Sequence, residues 1–169
     1  VNALKMDFGI WIEPEMVNPD SDLYRRHPDW AYHYDTRVKS ELRHQLVLNM
    51  TRTDVQEYVF GCIDKLLSEH NIKYIKWDMN RPFSETGAKN LACPKMLYYL
   101  HTKAVYDIVD RLKAKHCDVQ FEACASGGGR ADLGALSHFD QCWTSDNTDA
   151  IDRLKIQYGT SFGYPISAM

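Results

Sequence analysis

Short apolar runs bounded by polar clusters recur along the chain, with room for a helix between most of them. They are FGIWIE (residues 8–13), QLVLNM (45–50), KYIKWD (73–78), DVQFEACA (118–125) and FDQCWTS (139–145). Each is rich in β-branched, aromatic or leucine residues and short enough for a strand. A sixth strand is expected to begin near Pro165. Between the runs the apolar period changes to that of a helix. Val55, Tyr58, Val59, Cys62, Ile63 and Leu66 form one stripe, preceded by Thr53 and Gln56 at capping-box spacing. His101, Val105, Ile108, Val109 and Leu112 form a second stripe, and Ile151, Leu154 and Tyr158 open a third. The segment 18–36, rich in proline and aromatic residues, is predicted to be loop.

Strand and helix in alternation predict a parallel sheet. An open nucleotide-binding sheet would show GxGxxG or GxxxxGK[ST] after its first strand, and neither is there. Instead, polar residues sit at the C-terminal ends of the strands: Glu13, Asn49, Asp78, Cys124 to Ser126, and Asp146. Barrel enzymes gather their chemistry at that end. The expectation is therefore an α/β fold of the (β/α)8 TIM-barrel type. A whole barrel takes about 250 residues. A chain of 169 supplies a partial barrel of about six β/α units, one catalytic domain over residues 1–169. Its ends, Val1 and the run PISAM, are expected to be cuts within something longer.

Composition narrows the partners. A formal net charge of −3 leaves no basic footprint for nucleic acid or an anionic membrane. No apolar run approaches a membrane span. Five cysteines without CxxC spacing point to reduced thiols and a cytoplasmic protein. Seven scattered histidines, without HExxH or a Cys/His cluster, point to no metal and no cofactor.

Four stretches carry candidate chemistry. Strand alternation puts Lys76 and Asp78 on one face and Trp77 on the other. An ammonium beside Asp78 would favour its ionised form, as a nucleophile needs, though a structural ion pair would look the same. Cys142, Thr144 and Asp146 share a face if their strand runs that far, but Asp146 is equally placed to cap the next helix. The glycines of EACASGGGR could cradle a phosphate or make a tight turn, with Glu122 and Cys124 sharing a face before them. In GIWIEPE, Trp11 and Glu13 share a face, and the indole is either a sugar platform or core. Paired carboxylates with aromatics, and no metal or phosphate motif, point to glycoside hydrolysis. On pattern alone Glu13, Asp78, Glu122 and Asp146 compete for the two roles.

Taken together, WIEPEMVN, RHQLVLN, YIKWDMNR, EACASGGGR and CWTSDNTDAIDRL resemble the catalytic barrel of the microbial α-galactosidases of glycoside hydrolase family 36, over nearly the whole chain. The resemblance implies a retaining enzyme that removes terminal α-linked galactose from oligosaccharides such as melibiose and raffinose, without cofactor or metal. It implies Asp78 as nucleophile and Asp146 as acid and base. It implies that Trp11, Arg43, Lys76, Asn80, Cys124 and Gly127 touch the sugar, and that the full-length enzyme is a homo-oligomer. The chain departs from the family in lacking the preceding strand, whose end carries two adjacent aspartates, and the flanking β-domains. It also has Asn49 where many relatives carry Asp. An isolated fragment of this kind is expected to be inactive. Two alternatives are a galactosyl-transferring relative like the raffinose synthases, and a sugar-binding barrel that has lost catalysis. The wording KWDMNR weighs against the first, and the two retained aspartates against the second.

Overall fold

The computed structural model describes residues 1–169. Six strands form: β1 (Gly9–Ile12), β2 (Met16–Val17), β3 (Leu46–Val47), β4 (Tyr74–Trp77), β5 (Gln120–Ala123) and β6 (Gln141–Cys142). The helices are α1 (Asp22–Arg26), α2 (Thr53–Glu69), α3 (Leu97–Lys115), α4 (Leu133–His138) and α5 (Ala150–Thr160). The chain divides into two compact units.

The first unit comprises residues 1–13, 70–80 and 113–169. Its centre is a four-stranded sheet in the order β1-β4-β5-β6, parallel throughout. The register sets Trp11 opposite Lys76, Lys76 opposite Glu122, and Glu122 opposite Gln141. One polar row thus crosses all four strands. The next residue of each strand faces the other way and makes an apolar row of Ile12, Trp77, Ala123 and Cys142. On that face Ile75, Trp77 and Phe121 are wholly buried. Burying each such side chain stabilises the fold by about 1.5–3 kcal/mol. Phe139 meets the Trp77 ring edge-on at 6.3 Å. The sequence expectation for KYIKWD holds, since Trp77 is buried while Lys76 lies on the opposite face.

The second unit comprises residues 14–69 and 81–112. Here the run QLVLNM departs from expectation. Only Leu46–Val47 is strand, and it pairs antiparallel with β2 instead of joining the parallel sheet. Two-residue partners in an antiparallel ribbon leave the same apolar pattern as a buried parallel strand. Helix α2 buries Val55, Val59, Ile63 and Leu67, a narrower stripe than predicted, with Tyr58 and Cys62 exposed. The capping box does not form: the Gln56 backbone amide donates to the Arg52 carbonyl at 3.1 Å, and its side chain donates to the Met50 carbonyl at 2.7 Å. Helix α3 buries the predicted His101, Val105, Ile108, Val109 and Leu112. His101 sits between Glu15 and Tyr32, with Nε2 2.7 Å from the carboxylate and Nδ1 3.1 Å from the phenol. All three are buried.

Two further expectations fail. Near Pro165 there is a single 3-10 turn (Ile166–Ala168), not a strand. The parallel sheet accordingly has four strands, not about six. The segment 18–36 is largely loop as predicted, but it contains α1 and the buried Trp30, Ala31 and Tyr32.

Candidate active site

Asp78 follows the last residue of β4, and its amide still donates to the Ile12 carbonyl of the neighbouring strand. The strand end is thereby fixed and the side chain projects on the Lys76 face. Its carboxylate is enclosed by donors. Trp11 Nε1 and Asn80 Nδ2 donate to Oδ2 at 2.8 and 2.7 Å, and the Met79 amide donates to Oδ1 at 2.8 Å. The Cys124 thiol donates as well. Burial alone would push this carboxyl up, but the donors, led by Trp11, outweigh it and hold Asp78 below the usual carboxylate range. Burial and the bond to Asp78 together push the Cys124 thiol up to about 12. Asp78 is thus poised as an anion whose proton-donor neighbours are all neutral.

Those neighbours are themselves held. The Asn80 amide nitrogen donates to Glu13 at 3.1 Å, and its side-chain oxygen accepts from the Ser126 amide at 3.1 Å. Ser126 takes a left-handed backbone (φ 49°) to make that turn. Gly127 follows at φ 82° and lies against the segment 144–146. A Cβ there would meet the Asp146 amide nitrogen at 3.0 Å and the Ser145 Cα at 3.1 Å. The glycine run is therefore a tight turn that brings β5's exit loop onto β6's exit loop.

Asp146 lies on that second loop, exposed, past the end of β6. The cap of α5 is Asp149, which accepts from the Ile151 and Asp152 amides at 3.0 Å. Asp146 is thereby released from the capping role and instead accepts from Trp143 Nε1 at 2.9 Å. The Trp143 ring receives the Lys76 ammonium 3.8 Å from its centroid and the Arg153 guanidinium at 4.7 Å. Two sequence expectations change here. Lys76 pairs with Glu122 at 3.2 Å and not with Asp78, so the low pKa of Asp78 comes from hydrogen bonds. Cys142 lies on the apolar face beside Ala123, because β6 ends at Cys142 and Gln141 is the residue in the polar row. No group of His, Cys, Asp and Glu side chains is arranged to hold a metal ion.

The profile of the Melibiase family matches residues 1–169. The chain belongs to the melibiase family. The chain is 48% identical to α-galactosidase AgaA of Geobacillus stearothermophilus, covering 100% of this chain and 24% of that protein. It is 51% identical to α-galactosidase C of Emericella nidulans, over 99% of this chain and 22% of the other. It superposes on the crystal structure of a G. stearothermophilus AgaA variant in complex with raffinose with a TM-score of 0.93, at 47% identity, covering 99% of this chain and 24% of that one. The chain thus spans about a quarter of the length of the relatives it matches.

Of the residues singled out from the sequence, Trp11, Lys76, Asp78, Asn80, Cys124, Gly127 and Asp146 all fall in the first unit, at the C-terminal edge of its sheet. Cys124 is buried beneath Asp78, whereas the Trp11 ring is 49% exposed. Arg43 belongs to the second unit. With His44 it forms the exposed tip of a tight turn between Leu42 and Gln45, both residues at φ near 57°. The Arg81 guanidinium grips that hairpin at the Gln45 carbonyl. Trp143, Gln141 and Tyr74 were missed. The signal available was the alternation in DQCWT, which puts Gln141 and Trp143 on one face.

Proposed function

We propose that this chain carries the catalytic centre of a retaining α-galactosidase acting on melibiose- and raffinose-type oligosaccharides. The observation that carries the proposal is Asp78, a carboxylate kept ionised by neutral donors at a strand end, in a melibiase chain whose relatives are named α-galactosidases. Asp78 attacks the anomeric carbon of a terminal galactose and displaces the aglycone oxygen, giving a covalent glycosyl–enzyme ester. Asp146 gives its proton to the departing oxygen. It then takes a proton from water as that water attacks the anomeric carbon and frees Asp78. The exposed Trp11 ring offers a face for the sugar, and its N–H keeps Asp78 aimed. Lys76, Asn80 and Cys124 line the same corner, with Gly127 shaping its wall. The relative crystallised with raffinose supports the substrate class. Consecutive parallel strands with chemistry at one end support a partial (β/α)8 barrel as the architecture. Five free thiols, three of them exposed, support a reducing, cytoplasmic setting.

The test is azide rescue in the complete protein. Asp78→Gly is expected to abolish turnover, and azide then to yield the β-galactosyl azide. Asp146→Ala with an activated aryl α-galactoside is expected to yield the α-azide through the covalent intermediate. The opposite pairing of variants and anomers, read by NMR, refutes the assignment of roles.

A further inference from the structure

Glu122 is the one buried carboxylate in the polar row of the sheet, and the mechanism above does not use it. It sits at the centre of β5, directly between Lys76 on β4 and Gln141 on β6. Its Oε1 meets the Lys76 ammonium at 3.2 Å, and its Oε2 accepts from Gln141 Nε2 at 2.8 Å. The same Gln141 nitrogen donates to the Tyr74 phenol oxygen at 2.6 Å, and that phenol donates to Glu122. The carboxylate is thus fully partnered by groups from the strands on both sides.

Stability alone is a poor reason for this arrangement. Withdrawing an ion pair from water is costly, and a well-packed apolar pair of the same volume is often as stable or more so. What the charge does here is hold one ammonium in one place. Lys76 and Asp78 lie two residues apart on one face, about 6.6 Å along the strand, well within the reach of a lysine. Yet Lys76 points to Glu122 and to the Trp143 ring, and that ring carries Asp146.

We propose that Glu122 is a positioning residue that withholds Lys76 from Asp78 and presses its ammonium onto Trp143, so that one buried charge sets the geometry of both catalytic aspartates. The proposal rests on the α-galactosidase reading. Its physical content is specific. Without the Glu122 charge, Asp78, two residues along the same strand face, is an anion within reach of the ammonium. The ammonium then leaves the ring, neutralises the nucleophile and loosens the tether of Asp146. The other groups bonded to Asp78 are the neutral donors Trp11, Asn80, Cys124 and the Met79 amide, and the one charged group beside them, Glu13, is an anion held by the Asn80 backbone amide. None of them can oppose the move.

The experiment is Glu122→Gln in the complete protein, which preserves shape and removes the charge. On an aryl α-galactoside kcat/KM is expected to fall about 10–100-fold, the range for sub-ångström to ångström misplacement of catalytic groups. The acid limb of its pH profile is expected to move to lower pH, because an ammonium beside Asp78 favours the ionised form. In a Lys76→Met background the same substitution is expected to change kcat/KM by less than about twofold, since the two residues act through one contact. A crystal structure of Glu122→Gln is expected to show Lys76 Nζ off the Trp143 ring and within ion-pair distance of Asp78. An equal loss in both backgrounds, or Lys76 left on the ring, overturns the proposal. Should Glu122→Gln fail to fold, Lys76→Met/Glu122→Met replaces the ion pair with two apolar chains of similar length. Its kcat/KM is expected to match Lys76→Met alone, and a further drop of tenfold overturns the proposal. If the unsubstituted protein does not hydrolyse α-galactosides, the functional reading fails, and the position of Lys76 in the variant crystal decides the role of Glu122 by itself.

Discussion

Gly127→Ala in the complete protein tests how closely the site is built, because the size of the perturbation follows from the geometry. The backbone at Gly127 has φ 82°, where an L side chain is strained. That conformation costs a non-glycine residue about 1–2 kcal/mol. The new methyl also meets the Asp146 nitrogen at 3.0 Å and the Ser145 Cα at 3.1 Å, short of the 3.4 Å where ordinary contact begins. Both neighbours are backbone, so they cannot swing aside like a flexible side chain. The relief is a displacement of the 145–146 loop by a few tenths of an ångström. A misplacement of about 1 Å costs roughly 100-fold in rate. On a logarithmic scale, a third of that shift costs about fivefold, or ~1 kcal/mol. The loss should fall on the acid, so two substrates discriminate. Melibiose, whose sugar leaving group needs the proton, is expected to lose about fivefold in kcat/KM. A dinitrophenyl α-galactoside, which leaves unaided, should lose little in its first step. Urea unfolding is expected to show a destabilisation of about 1–3 kcal/mol, from strain plus overpacking. Equal losses on the two substrates would show that the glycine does not set Asp146. Unchanged stability would show that the loop is not packed as described.

Trp11→Phe keeps the ring and removes the N–H that donates to Asp78 at 2.8 Å. Asp78 then titrates higher, and the acid limb of kcat/KM moves to higher pH; an unmoved limb would mean that Asp78 does not govern it. The sign for stability follows from the same depressed carboxyl. Its contribution is fully present above the unfolded-state pKa and is lost as pH falls through the lower folded one. Trp11→Phe should therefore lower stability at neutral pH by more than at acid pH, as read from urea midpoints. Iodoacetamide at pH 8 is expected to label exposed Cys62, Cys93 and Cys117 and to spare Cys124 and Cys142, whose thiols burial pushes up to about 12 and about 11. Peptide mass spectrometry decides this, and rapid labelling of Cys124 would place it outside the buried corner. His101→Leu removes the ring that joins Glu15 to Tyr32. It is expected to cost about 1–3 kcal/mol, and an unchanged urea midpoint would show that the network contributes nothing.

The pattern of polar and apolar residues was enough to sort side chains by face, because a strand's period of two and a helix's period near 3.6 are local properties of the backbone. KYIKWD placed Lys76 and Asp78 together and Trp77 opposite, and the α3 stripe buried the predicted residues. The strand ends likewise marked Asp78, Cys124 and Asp146, and the family resemblance added Asn80 and Gly127. The local pattern left open which residue stands across from which. That choice is made by strand register, which depends on every strand in the sheet at once. Lys76 therefore finds Glu122 on β5 instead of Asp78 two residues away, and Trp143, unmarked in the sequence, becomes the link between the lysine and Asp146. The same holds for Leu46–Val47, whose apolar run suits a buried parallel strand as well as the antiparallel ribbon it joins. It holds too for the glycines of EACASGGGR, whose purpose is visible only once the Asp146 backbone is packed against Gly127. Periodicity is written into neighbouring residues, whereas the partners of a buried charge are settled only when distant strands come together.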